Sequence, residues 1–159
     1  MVMSDQNLVL DEQLSFILYL CSKETIKRYK EYLDPLGITY TQYLAMLVLW
    51  NDNGISVNEL SKKMYLDSGT LTPLLKKLEG KNLVERHRDS TDERVVLVSL
   101  TKKGVDLKDQ IRHIPGEILA KTGVPPQEAA DILEMLKSVL DRTTSLNYGK
   151  KEIPSSENA

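Results

Sequence analysis

The stretch YLDSGTLTPLLKKLEGKNLVERHRDSTDERVVLVSLT, Tyr65 to Thr101, decides how this chain reads. Asp67, Ser68, Gly69, Thr70 and Thr72 are the small and polar residues of a helix start, and an apolar helical stripe follows them. Leu83 to Arg88 and Arg94 to Leu100 then read as β-branched strands around a turn of Asp89, Ser90, Thr91 and Asp92. Arg86, Arg88 and Arg94 surround that turn. A helix able to enter a major groove, followed by an arginine-tipped hairpin, is the plan of a winged helix-turn-helix. Double-stranded DNA is therefore the first partner to consider.

Outward from this stretch the chain is mostly helical. Leu8 to Tyr32 carries a helical pattern, with Leu14, Leu18 and Cys21 on one face, and Asp34-Pro35-Leu36-Gly37 ends it. Thr39 is an N-cap for a second helix through Trp50. Ser56 and Glu59 form a capping-box pattern for a third, about Val57 to Met64. The fourth helix spans Ser68 to about Lys81. Pro73 argues that it starts close by, because an interior proline costs about 3 kcal/mol. After the hairpin, Thr101 caps a helix to about Ile114, Pro115-Gly116 interrupts it, and Pro125-Pro126 opens a last helix. Ser145 to Ala159 reads as a disordered tail.

The first and last helices carry more apolar surface than a small winged domain can bury. Pairing two copies across a two-fold axis solves this. The expected organisation is therefore dimerisation helices in residues 1–35 and 101–144, a winged helix-turn-helix in 36–100, and a tail in 145–159.

The chain has 159 residues and a net charge of −2. That charge divides unevenly. Lys62 to Lys103 holds ten Lys/Arg against six Asp/Glu, a net of +4, and the remainder holds eleven against seventeen, a net of −6. Local charge governs phosphate contact, because screening limits each charge to about 8 Å. The longest apolar run, Tyr43 to Trp50, is far short of the roughly 20 residues that span a membrane. The polar N-terminus has no signal-peptide pattern, so the expected compartment is the cytoplasm. A single cysteine, Cys21, excludes an intrachain disulfide.

Ser68, Thr70 and Thr72 are expected to contact the groove, with Asp67, Gly69 and Pro73 in the same surface. Lys76 and Lys77 suit phosphates. Arg94 suits a narrow minor groove, with Asp92 holding its guanidinium. Arg86 is expected to make a phosphate or a structural contact. His87 and His113 are too isolated for a metal site, no cofactor is expected, and no catalytic triad, phosphate loop or carboxylate pair argues for an enzyme. A winged helix used only for protein contact is the alternative of another class.

The segments DEQLSFILY, ITYTQYLAMLVLW, MYLDSGTLTPLLKKLE and DERVVLVSLT resemble the MarR family of transcription regulators, most of all its organic-hydroperoxide-sensing OhrR branch. The likeness covers about Leu10 to Leu140. It implies a homodimeric repressor on a pseudo-palindromic operator, released when a cysteine in a Q-L-C-F pattern is oxidised. Here the matching residues are Gln13-Leu14-Ser15-Phe16, so serine occupies the sensing position. The resemblance also implies that Tyr29 and Tyr40 reach the sensor from the other subunit and that Tyr19 lies one turn beyond it.

A serine hydroxyl keeps those hydrogen bonds but is not nucleophilic enough to react with peroxide. Ser15 is either a Cys→Ser replacement that locks the DNA-binding form or a natural variant that has lost or moved its sensor. The first is preferred because all three tyrosines remain. Cys21 lies roughly 240° around the helix and about 9 Å along it from Ser15, so it reads as a small hydrophobe. Alternative readings are release by a small phenolic or lipophilic ligand, and a global oxidation-sensing regulator of the virulence type.

Overall fold

The computed structural model describes residues 9–148. Its elements are α1 (Leu14–Leu33), α2 (Tyr40–Asn51), β1 (Ile55–Ser56), α3 (Val57–Met64), α4 (Ser68–Gly80), β2 (Val84–Arg88), β3 (Val96–Leu100), α5 (Lys102–Ile111), α6 (Ile114–Thr122) and α7 (Pro126–Tyr148). The three strands form one antiparallel sheet in the order β1-β3-β2. Ile55 lies opposite Val98, and Val84 lies opposite Leu100. The fold is the expected winged helix, mostly helical with a small sheet.

The helix starts follow from local hydrogen bonding. The Thr39 N–H donates to Gln42 Oε1 at 3.1 Å, and the Gln42 N–H donates to Thr39 Oγ1 at 3.3 Å. Ser56 and Glu59 repeat this reciprocal cap on α3 at 2.9 and 3.1 Å. Each box satisfies N–H groups that a helix end leaves orphaned. Between the caps, Leu33, Met46, Leu49, Leu60, Leu71, Leu75, Leu78, Val84, Val98, Ile111 and Ile114 are fully buried in one cluster. That cluster joins the end of α1 to α2–α6 and the sheet.

Several expectations change. The chain does not form one helix from Leu8: a 3-10 turn at Leu10–Glu12 is followed by an extended Gln13, and α1 starts at Leu14. Leu10 and Leu14 remain exposed in the single chain, so no packing face carries a helix through this segment. β1 leaves no signal in the sequence because two residues have no periodicity, and only β3 makes them a strand. Pro115 starts α6 rather than interrupting a helix. It occupies the first turn, where its missing N–H has no intrahelical partner. Pro73 lies in the second turn of α4, and the bond it cannot make is to the exposed Gly69 carbonyl.

The helix α7 runs to Tyr148, into the segment read as a disordered tail at 145–159. No glycine or proline follows Pro126 until Gly149, so polar composition alone did not end the helix. Residues 149–159 lie outside the described residues.

One backbone contact locks the winged domain to α5. A Cβ on Gly104 would lie 2.0 Å from the Leu83 carbonyl oxygen. The Gly104 carbonyl in turn accepts a bond from Trp50 Nε1 at 2.9 Å. Gly104→Ala forces two backbones apart and should destabilise the fold by about 1–3 kcal/mol or more. Urea denaturation checks this, and an unchanged midpoint would show that α5 shifts freely.

Candidate nucleic-acid interface

The helix α4 has two faces. Leu71, Leu74, Leu75 and Leu78 are buried, whereas Ser68, Gly69, Thr72, Pro73, Lys76 and Lys77 are exposed. Ser68, Thr72 and Lys76 are four residues apart, as are Gly69, Pro73 and Lys77, so they form two adjacent ridges along the helix. The structure thus places the expected reading residues on one outward surface.

Asp67 and Thr70 differ in role from the rest. Asp67 is the N-cap of α4: its Oδ1 accepts the Thr70 N–H at 2.9 Å and its Oδ2 accepts the Thr70 hydroxyl at 2.8 Å. These bonds, the Thr70 hydroxyl first, hold the carboxyl below the usual aspartate range. Asp67 thus serves to start the helix, and its negative charge would oppose a nearby phosphate.

The wing is built by carboxylates. Asp89 Oδ1 accepts the Thr91 N–H at 2.7 Å and the Asp92 N–H at 3.1 Å, which folds the turn. Asp92 then grips Arg94 with both oxygens: Nε donates to Oδ1 at 3.0 Å and Nη2 donates to Oδ2 at 3.1 Å. The Arg94 side chain is still 90% exposed. The guanidinium is therefore fixed in direction yet open outward, as the sequence reading expects. Arg88 Nη1 donates to the Glu93 carbonyl at 2.7 Å, a brace not anticipated from sequence.

A hollow of about 260 Å³ separates α4 from the wing and is lined by Ser56, Thr72, Leu75, Arg86, Arg94 and Val96, among others. Thr72 and Arg94 are thereby brought to one concave surface. Arg86, expected to contact phosphate or structure, makes a structural contact. Its Nη2 donates to Glu79 Oε2 at 2.6 Å and its side chain is only 24% exposed, which ties β2 to α4.

The residues expected around the sensor are not brought together within one chain. Ser15 is exposed in the first turn of α1, and Tyr19 is exposed one turn later. Tyr29 lies 14 residues further along the same helix, about 21 Å away at 1.5 Å per residue. Tyr29 and Tyr40 do meet, with ring centroids 4.9 Å apart, and Tyr43 joins them at 5.4 and 6.0 Å. Burial pushes all three phenols above their ordinary range. They therefore remain protonated and keep their donors. In the sequence Tyr43 stands out only as part of an apolar run, and its i+3 spacing from Tyr40 is the one signal of the cluster. Cys21 is exposed on α1. Among the described residues, no group of His, Cys, Asp and Glu could hold a metal, and no helix is long and apolar enough to cross a membrane.

Residues 27–111 match the family described as "Transcriptional regulator SarA/Rot". The chain is 49% identical over 131 residues to an organic hydroperoxide resistance transcriptional regulator of Bacillus subtilis, covering 82% of this chain and 86% of that one. Reduced AbfR bound to DNA superposes with a TM-score of 0.73 at 31% identity, covering 89% of this chain and 99% of AbfR. A mutant MarR from E. coli complexed with operator DNA gives 0.75 at 26% identity, over 87% and 99% of the two chains. The chain belongs to the SarA/Rot family of transcriptional regulators, among the winged-helix proteins of the MarR type.

The Asp92–Arg94 grip has a definite pH dependence. The Arg94 side chain, before any other cause, holds the Asp92 carboxyl below its ordinary value of 3.8. A depressed folded value means that the contact stabilises the wing above the unfolded pKa and is lost as pH falls through the folded one. Carbon-13 NMR should give Asp92 a midpoint below 3.8, and Arg94→Ala should move it up toward that value. An identical midpoint in both proteins would show that the pair does not form in solution.

Proposed function

We propose that two copies of this chain bind double-stranded DNA, with α4 of each in a major groove and each wing in the flanking minor groove. The observation that carries this reading is Arg94, fixed by Asp92 and open outward across the hollow from Thr72. The similar AbfR and MarR structures, each bound to DNA, support it. Residues 36–100 would form the reading module. Residues 1–35 and 101–144 would pair the copies, with α7 continuing beyond that boundary. The apolar residues left uncovered in one chain favour such pairing: Leu133, Leu136 and Leu140 on one face of α7, Met135 at 68% exposure, and Leu14 and Ile17 on α1.

The regulatory role we infer is repression of peroxide-resistance genes, in a form that cannot respond at Ser15. The similarity to the Bacillus regulator favours that target class. A separation of about 21 Å between Ser15 and Tyr29 supports a sensing site shared by the pair: phenols from one copy would meet the α1 start of the other. A thiolate at this first-turn position would face the positive end of α1, which lowers a thiol pKa. It would attack the hydroperoxide O–O bond and take up one oxygen as sulfenic acid, while the alkoxide leaves and picks up a proton as the alcohol. Serine performs neither step.

A second reading has its own observation. A cavity of about 470 Å³ beside Tyr40 has apolar walls from Ile26, Leu33 and Ile38 and a rim that includes Lys23 and Lys30. An apolar floor under cationic groups suits a small phenolic or lipophilic acid, which would then release the protein from DNA.

Fluorescence anisotropy on a labelled duplex, selected by the protein from a random-sequence pool, tests the DNA reading. Affinity should fall steeply with salt. Arg94→Ala should cost on the order of 1–3 kcal/mol, and Lys76→Ala should flatten the salt slope by about one. Full affinity in a folded Arg94→Ala protein would remove the wing from the interface. Light scattering should report a dimer at micromolar concentration.

For sensing, organic hydroperoxide should leave the complex intact, and Ser15→Cys should restore release. Release of the unsubstituted chain with Cys21 oxidised in step would move the sensor to Cys21. Release by a phenolic acid without any oxidation would select the second reading.

A further inference from the structure

Among the described residues, two non-glycine residues have a left-handed backbone, Tyr65 (φ 53°) and Asn82 (φ 58°). Asn82 closes the turn from α4 into β2, and asparagine is among the residues that tolerate this conformation. Tyrosine is not. Tyr65 ends α3, where glycine is the usual solution because it carries no Cβ penalty.

The turn itself demands the conformation. The Tyr65 N–H donates to the Lys62 carbonyl at 3.3 Å and the Leu66 N–H to the Ser61 carbonyl at 3.1 Å, while the Ser61 hydroxyl closes on the Leu66 carbonyl. None of these bonds uses the Tyr65 side chain. That side chain is 44% exposed, and its hydroxyl has no partner among the described residues. The fold therefore needs a left-handed residue here but makes no hydrogen bond to the phenol. A bulky ring in this conformation costs stability that Gly or Asn would spare.

Tyr65 lies in the turn that joins α3 to α4. Tyr65 is two residues before the N-cap of α4 and three before Ser68, at the end of the helix that would enter the groove. Exposed Lys62 is in the same turn, whereas Lys63 is already paired with Asp52 at 3.1 Å. An exposed phenol three residues from exposed Lys62, in the turn that leads into α4, suits the rim of a groove, where phosphate oxygens accept bonds.

We propose that Tyr65 is a further DNA-positioning residue, its phenol donating to a backbone phosphate and so fixing the depth at which α4 enters. This inference rests on the DNA-binding reading above. A phosphate contact sets register and affinity but carries no sequence information.

The test compares Tyr65→Gly, Tyr65→Asn and Tyr65→Phe in the full chain on the selected duplex. The Gly and Asn proteins should melt at or above the parent temperature, because the strained backbone is relieved. The Gly protein should nevertheless bind about tenfold more weakly, the worth of one hydrogen bond to a charged oxygen. Tyr65→Phe should lose most of that affinity too. The salt slope should not change, since no cation has been removed, whereas Lys62→Ala should flatten it.

Parent-like affinity in Tyr65→Gly would overturn the inference and leave the DNA reading standing. A lowered melting temperature in that protein would also overturn it, by giving the ring a role in the fold. A parent chain that selects no duplex and shows no salt-dependent binding would overturn the DNA reading itself.

Discussion

The burial of one side of α4 is the constraint on which the rest of this structure depends. Leu71, Leu75 and Leu78 are fully buried, and Leu74 nearly so, against a cluster that includes Met46, Leu60 and Val98. Each such side chain contributes about 1.5–3 kcal/mol when removed from water. Rotating α4 about its axis would expose these leucines, so its orientation is fixed by the core. The opposite ridges of Ser68, Thr72 and Lys76 therefore have only one direction in which to face. An interface made of small polar residues gains its precision from apolar residues that never reach the surface.

Charge completes what packing begins. Carboxylates near the wing and at the start of α4 organise donors around themselves instead of repelling a ligand across open solvent. Asp89 folds the turn, Asp92 aims Arg94, Glu79 anchors Arg86 and Asp67 starts α4. The acids fix cations and backbone in place, and the exposed lysines and Arg94 supply the positive surface. This is why a chain of net charge −2 presents a local surface suited to phosphates. The cost of holding Arg94 in one rotamer is met within the wing, before any partner arrives.

The residues proposed for sensing are divided between two packing environments. Tyr29, Tyr40 and Tyr43 cluster with tilted rings where α1 meets α2, half-buried or buried. Ser15 starts α1 at its exposed end, among apolar side chains that nothing in the single chain covers. A proposed pairing of copies would cover those side chains and bring the two environments together in one step. A thiol restored at position 15 would then lie in the contact proposed to set the spacing of the two α4 helices.

Periodicity and capping made much of this protein legible from its sequence. The leucines of α4, the Ser56–Glu59 box, the Thr39 and Thr101 caps and the strand pair around Asp89–Asp92 are local signals, each complete within a few residues. The Asp92 hold on Arg94 was legible for the same reason, since the partners are two positions apart in the chain. Tertiary structure alone decided the features that depend on distant segments: β1 as a strand, Arg86 as a partner of Glu79, Tyr43 as the third member of the tyrosine cluster, and Gly104 against Leu83. It also decided where helices stop. The end of α7 lies beyond the point where composition turned polar, and α1 begins at Leu14 and not at Leu8. The physical reason is common to all of these. A cap or a turn is closed by neighbours in the chain, whereas an ion pair, a short strand or a close backbone approach exists only once the core has brought remote residues together.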